Sequence, residues 1–145
     1  MSAEDHKALI RRFYVEAWDG ANYDVADAVF ADEYVRHDAR GTEALPGPEG
    51  QKQIAAAFRQ AFPDLRFMVD LLIAEDDLVV GYWTATGTHL GPWATVEPTG
   101  RAARFNGVNI FRFADGKVVE LWNVRDDLGL LEQIGARVHA GAPAT

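Results

Sequence analysis

Three observations predict an α+β fold in which helices pack over the concave face of a curved antiparallel sheet. Apolar residues recur at helical intervals as far as Phe62. From residue 65 the texture changes to runs rich in β-branched and aromatic residues. A chain of 145 residues, 48% apolar and without cysteine, is long enough to close one core with no disulfide or metal. Helices first and a meander of strands second is the order of an α+β domain, not of a parallel α/β sheet. Such a cone holds a ligand wherever its concave face is not filled by side chains.

The first helix is predicted over residues 3 to 18, where Leu9, Ile10, Phe13, Tyr14 and Ala17 share a face and Ser2 caps the start with Asp5 three residues on. Asp19-Gly20 stops it. A second helix over 23 to 31 buries Val25, Ala28 and Val29, and a short extended piece, YVRHD, follows at 34 to 38. After a loop, Pro48 suits the first turn of a third helix, whose stripe is Ile54, Ala57, Phe58, Ala61 and Phe62. Strands follow at RFMVDLLIA, LVVGYWTATGTHL, RFNGVNIFRF and KVVELWNVR, with turns at Asp76-Asp77 and Asp115-Gly116. GPWATVEPTG is long for a hairpin connection. A short helix at 127 to 134 ends the ordered chain, so a single domain is expected over 1–136 with a flexible tail at 137–145.

Composition removes several chemistries. The net charge of −8 argues against nucleic acid and anionic membrane as partners, since phosphate would be repelled. No segment reads as a secretory leader or an apolar span, so the cytoplasm is the expected compartment. The one serine, Ser2, sits at the terminus, and Ser-His and Cys-His nucleophiles are therefore out of reach. Lys7 and Lys52 fall on predicted helices among polar neighbours and Lys117 sits beside a tight turn, so none suits a Schiff base. His6, His37, His89 and His139 are too dispersed for a metal site, and no Gly-rich phosphate loop is present. Carboxylates, histidine, amides, arginine and bound water remain.

Strand alternation selects the working face. Phe105, Gly107, Asn109, Phe111 and Phe113 share one side of their strand, and Val119, Leu121, Asn123 and Arg125 share one side of the next. Placing both asparagines in one interior is the most economical register, with Gly107 leaving space beneath Asn109. The alternative is that the asparagines are satisfied structural amides or surface groups. The opposite faces carry Val108, Ile110, Val118, Trp122 and Val124, an apolar patch that predicts a homodimer through the outer sheet face.

The segments PGPEGQKQIAAAFRQAFPDLRF, YWTATGTHLGPW, EPTGRAARFNGVNIFRFADGKVVELW and DDLGLLEQIG together resemble the SnoaL-like polyketide cyclase family of the NTF2-like, ketosteroid-isomerase-like superfamily. The resemblance implies an α+β barrel with a cavity between helices and sheet, often dimeric, with no metal or organic cofactor. It implies an aromatic polycyclic polyketide as substrate, closed by intramolecular aldol condensation or, in related members, hydroxylated. Counting from Asp115-Gly116-Lys117, the family's acid/base aspartate falls at Asn123, and its polar substrate-binding position falls at Asn109. An amide does not titrate, so Asn123 and Asn109 are left to donate hydrogen bonds to an enolate oxygen.

The residue that could replace the aspartate as base is His37, an imidazole at the mouth of an apolar cone; the alternative is a core or rim histidine held by a backbone carbonyl. Arg125 could clamp a phenolate or carboxylate, or pair with Asp126, Asp127 or Glu120. Phe105, Phe111 and Leu121 line the expected pocket. Trp83, Trp93 and Trp122 could stack on a polycycle, although an aromatic in a strand is usually core, and Trp93 beside Pro92 fits a lid. Asp126 and Asp127 suit a helix cap, and His89 reads as a rim residue. Alternatives to a tailoring enzyme are a non-catalytic module that carries an aromatic ligand and an epoxide hydrolase, whose Asp-Arg-Asp grouping Asn123 weakens.

Overall fold

The computed structural model describes residues 1–38 and 46–136; the expected tail at 137–145, with His139, lies outside the described residues. Ser2 and Asp5 form a reciprocal cap, each side chain accepting from the other's backbone N–H, and start α1 (Ala3–Arg12). The expected regular helix does not run to residue 18. It continues as a π-helical segment, Phe13–Asp19, whose i→i+5 winding brings residues five apart close to one side. The Arg59 guanidinium caps this segment by donating to the Trp18 carbonyl at 2.7 Å and the Asp19 carbonyl at 3.0 Å.

The expected second helix is cut short. A 3₁₀ turn (Tyr23–Val25) and a four-residue α2 (Ala26–Val29) lead directly into β1 (Phe30–Asp38), longer than the piece expected at 34 to 38. Phe30 is fully buried and pairs with Val118, so sheet pairing overrides the helical spacing of Val25, Ala28 and Val29. Helix α3 (Gly47–Ala61) carries Pro48 in its first turn. Then come β2 (Arg66–Glu75), β3 (Leu78–Thr88), β4 (Ala102–Ala114), β5 (Lys117–Arg125) and α4 (Asp127–Gln133). Asp115 and Gly116 both have positive φ, as a two-residue hairpin turn requires.

The five strands form one curved, open sheet in the order β1-β5-β4-β3-β2. It is mixed and not wholly antiparallel, because β1 lies parallel to β5. The whole β2–β4 meander lies between them in sequence, which supplies the crossover that a parallel pair needs. Asn109 and Asn123 are direct partners across β4 and β5. A bulge at Arg112/Phe113 reverses the expected parity at the start of β5: Val118 pairs with Phe113 and is fully buried, while Val119 is half-buried. Helical and sheet aromatics meet between the layers, with Phe13 edge-on to Phe30 at 5.0 Å and Tyr14 stacked on Phe67 at 5.3 Å.

The other sheet face presents Val35, Leu71, Ile73, Tyr82 and Val124 as exposed apolar side chains. Val118 does not belong to this patch. Arg112 and His37 both reach Glu120 there, at 3.2 and 2.7 Å, so charge pairs sit beside the apolar centre. Among the described residues no helix is long and apolar enough to cross a membrane. Light scattering at micromolar concentration is expected to give a dimer that Val124→Asp dissociates, because the substitution charges a side chain that is 60% exposed in the single chain. A monomeric parent protein would refute the assignment of this face.

Candidate functional site

The concave side of the sheet, the π-helical segment and α3 enclose a cavity lined by Phe13, Trp18, Arg36, Gln51, Ile54, Phe58, Phe67, Trp83, Asn109, Phe111, Leu121, Asn123 and Arg125. Phe13 and Trp18, five residues apart, both reach it because of the π winding. Part of its polar wall is one continuous chain of hydrogen bonds. Arg36 Nη2 donates to Asp38 Oδ2 at 3.2 Å and to Asn123 Oδ1 at 3.4 Å. Asn123 Nδ2 donates to Asn109 Oδ1 at 2.5 Å, and Asn109 Nδ2 donates to Tyr14 Oη at 2.8 Å.

Each link is placed by a specific local feature. Tyr14 reaches Asn109 because residue 81, the β3 partner of Asn109, is glycine: a Cβ there would lie 2.5 Å from the Tyr14 hydroxyl. Gly107 does not leave open space beneath Asn109 as expected, because the Trp83 ring fills it, 2.5 Å from where a Cβ would stand. Burial pushes the Tyr14 phenol far above its ordinary pKa, and the bond from Asn109 offsets only part of that. Tyr34 is raised for the same reason, with Gln51 Nε2 donating to its hydroxyl at 3.1 Å.

An aromatic and cationic cluster stands at the Arg125 side of the cavity. The Arg125 guanidinium lies 4.5 Å from the Phe58 ring centre and 5.7 Å from that of Trp93, while its Nε donates to Asp127 at 2.7 Å. Trp93 and Phe58 are themselves 4.3 Å apart. The cavity is about 20 Å³, room for about one water, so a ring system needs its wall to move apart. Trp93 sits on a loop whose tip is bridged to Val96 and whose base is pinned at His89.

The structure brings Asn109, Asn123, Phe111, Leu121, Trp83 and Arg125 together in the cavity wall. Phe105 lies outside it, buried against Phe58, Phe62 and Trp83. Trp93 lies outside the cavity wall too, packed against Phe58 and near Arg125. His37 is not at the cavity. It faces the opposite side of β1, half-exposed, stacked on Trp122 at 5.2 Å and bonded to Glu120. The inward residues of β1 are its neighbours, Arg36 and Asp38, with side chains only 11% and 4% exposed. His89 is no rim residue either: it is fully buried, and its Nδ1 accepts from the Thr99 N–H at 3.2 Å.

Arg36, Asp38, Tyr14 and Gln51 are the residues that sequence reasoning missed. Gln51 carried a signal, since it stands three, four and seven residues before Ile54, Ala55 and Phe58 and so continues the apolar stripe of α3 with a polar group. The wall is rich in donors: two guanidinium groups, the amides and the Trp83 N–H, which has no partner among the described residues. Among the described lining residues there is no carboxylate and no imidazole.

The family model described as SnoaL-like polyketide cyclase matches residues 8–134. The solved structure of AclR from Streptomyces galilaeus, described as a candidate hydroxylase, is 30% identical with a TM-score of 0.81, covering 92% of this chain and 98% of its own. TsrD from Streptomyces laurentii is 25% identical with a TM-score of 0.85, covering 94% and 99%. A candidate SnoaL-like polyketide cyclase from Jannaschia sp. CCS1 is 27% identical with a TM-score of 0.81, covering 94% and 95%. No curated protein matches the chain. The fold is that of the NTF2-like proteins, as expected.

The buried phenol makes a pH-dependent prediction. Since its folded-state pKa is raised, Tyr14 contributes its full stability below the ordinary tyrosine value of about 10 and loses it as pH climbs from there toward the folded value. Tyr14→Phe is expected to flatten that alkaline limb in urea titrations. At neutral pH it should cost about 1–3 kcal/mol by leaving an Asn109 N–H unpaired.

Proposed function

Because this chain belongs to the SnoaL-like polyketide cyclase family, we propose that it is a tailoring enzyme holding an ionised or enolised polycyclic aromatic polyketide in the cavity, and that hydroxylation is the reaction its wall suits best. One observation carries this reading: the described lining supplies hydrogen-bond donors and no side chain that takes a proton at neutral pH. Donors fixed in a dry wall stabilise negative charge on a ligand oxygen without having to reorganise. They do not remove a proton from carbon. In hydroxylation the electron-rich ring supplies the reactivity, its carbon forming a bond to one atom of dioxygen. The O–O bond then breaks, and the second oxygen leaves as water with two protons and two electrons from an external reductant. The likeness to AclR supports the same reading.

Ring closure is the second reading, favoured by the buried Asp38 carboxylate behind Arg36 and by the likeness to the Jannaschia structure. There a proton leaves the carbon between two carbonyls, that carbon bonds to an acceptor carbonyl, and the acceptor oxygen takes up a proton. Incubation of a polycyclic polyketide with reductant under heavy-isotope dioxygen separates the readings. Labelled oxygen in the product supports hydroxylation, unlabelled ring closure that persists under nitrogen replaces it with cyclisation, and unchanged ligand in both assigns a carrier. His37→Ala is expected to leave turnover per folded molecule unchanged, because the imidazole faces away from the cavity; a loss of the 10²- to 10⁴-fold typical of a general base would contradict that.

A further inference from the structure

We propose that Trp83 anchors the ligand through its indole N–H, which holds a ketone or phenolate oxygen of a fused aromatic ring system, and that it does not serve as a stacking platform. The inference rests on the reading of the cavity as the site of an aromatic ligand. Among the described residues, the buried side-chain polar atoms without a hydrogen-bond partner are His6 Nδ1, Arg59 Nε, Trp83 Nε1 and His89 Nε2, and of these residues only Trp83 lines the cavity. A buried donor with no acceptor costs stability, so a fold that keeps one in the wall of a cavity keeps it for something that enters there. Other donors of the wall are already spent inside the protein, Asn109 Nδ2 on Tyr14 and Arg36 Nη2 on Asp38.

Packing decides which part of the indole can meet a ligand. Phe67 stacks on it at 4.8 Å and is itself in contact with Tyr14 at 5.3 Å and Trp18 at 5.2 Å, so the face that Phe67 covers is closed to a polycycle. The nitrogen-bearing edge is placed by Gly107, the direct partner of Trp83 on β4. A Cβ at 107 would stand 2.5 Å from Trp83 Cζ2 and 2.9 Å from Cε2, the atom bonded to Nε1. Glycine there lets this edge reach over β4, in the row that continues to Arg125, the β5 partner of Gly107. Arg125 brings positive charge to the same row, and the acceptor this place suits is therefore an oxygen that carries negative charge. An indole nitrogen donates and never accepts, so a ketone or phenolate is held there while a group that only donates is refused.

Replacing Trp83 with 3-benzothienylalanine, which puts sulfur in place of the N–H in a bicycle of nearly the same shape, removes this donor alone. The probe is alizarin, a coloured dihydroxyanthraquinone that carries ketone and phenol oxygens on a flat tricycle. The variant is expected to unfold at the parental urea concentration and to bind alizarin about tenfold more weakly, the size of one lost hydrogen bond in a dry site. In the parent, the indole N–H proton signal that the variant lacks is expected to move downfield as alizarin binds. Parental affinity in the variant, or an indole signal that does not move, overturns the proposal and leaves the cavity reading in place. Lower stability with parental affinity assigns the N–H to packing and overturns it as well. Alizarin that binds neither protein overturns the reading of the cavity as an aromatic-ligand site, and the anchor with it.

Discussion

Two carboxamides side by side in the interior of a sheet impose a constraint that the surrounding structure meets at every point. A buried amide left without a partner costs about 1–3 kcal/mol, so Asn109 and Asn123 must be satisfied inside the protein. They satisfy each other across β4 and β5, and the remaining demand is passed outward to Tyr14 at one end and Arg36 at the other. Each end then requires its own arrangement. Tyr14 needs a glycine opposite, at Gly81, and Arg36 needs β1 docked parallel to β5 with Asp38 beside it. The chain of bonds ties the first helix to three strands that are distant in sequence. An apolar pair at 109 and 123 would pack without this architecture, but it would leave the sheet side of the cavity without its paired amides.

The same economy holds the arginines of the cavity wall. Among the described residues Arg36 pairs with Asp38 and Arg125 with Asp127, which offsets part of the cost of largely burying two guanidinium charges. Arg125 also lies against Phe58 and Trp93, contacts that a planar anionic ligand could replace in kind: an aromatic face against the rings, and an oxygen against the guanidinium.

Much of this was legible in the chain itself, because local physics decided it. The capped first helix, the Pro48 start of α3, the turn at Asp115-Gly116 and the alternation in β4 that turns Phe105, Gly107, Asn109, Phe111 and Phe113 inward all follow from residue-level preferences and side-chain period. The pairing of Asn109 with Asn123 matches the expected register, but it depends on the bulge: counted straight back from the Ala114–Lys117 pair Asn109 would face Trp122, and the extra β5 residue brings Asn123 opposite it. What tertiary structure alone decided was the placing of everything that joins this hairpin from far away. In YVRHD each face holds one apolar residue, Tyr34 or Val35, so the period of two gave no preference; docking against β5 turned Arg36 and Asp38 inward and His37 out. The bulge that exchanged Val118 and Val119, and the glycine at 81 that admitted Tyr14, were likewise set by packing between distant segments. Periodicity reports which residues share a face, but which face is covered, and by what, depends on contacts that only the folded chain creates.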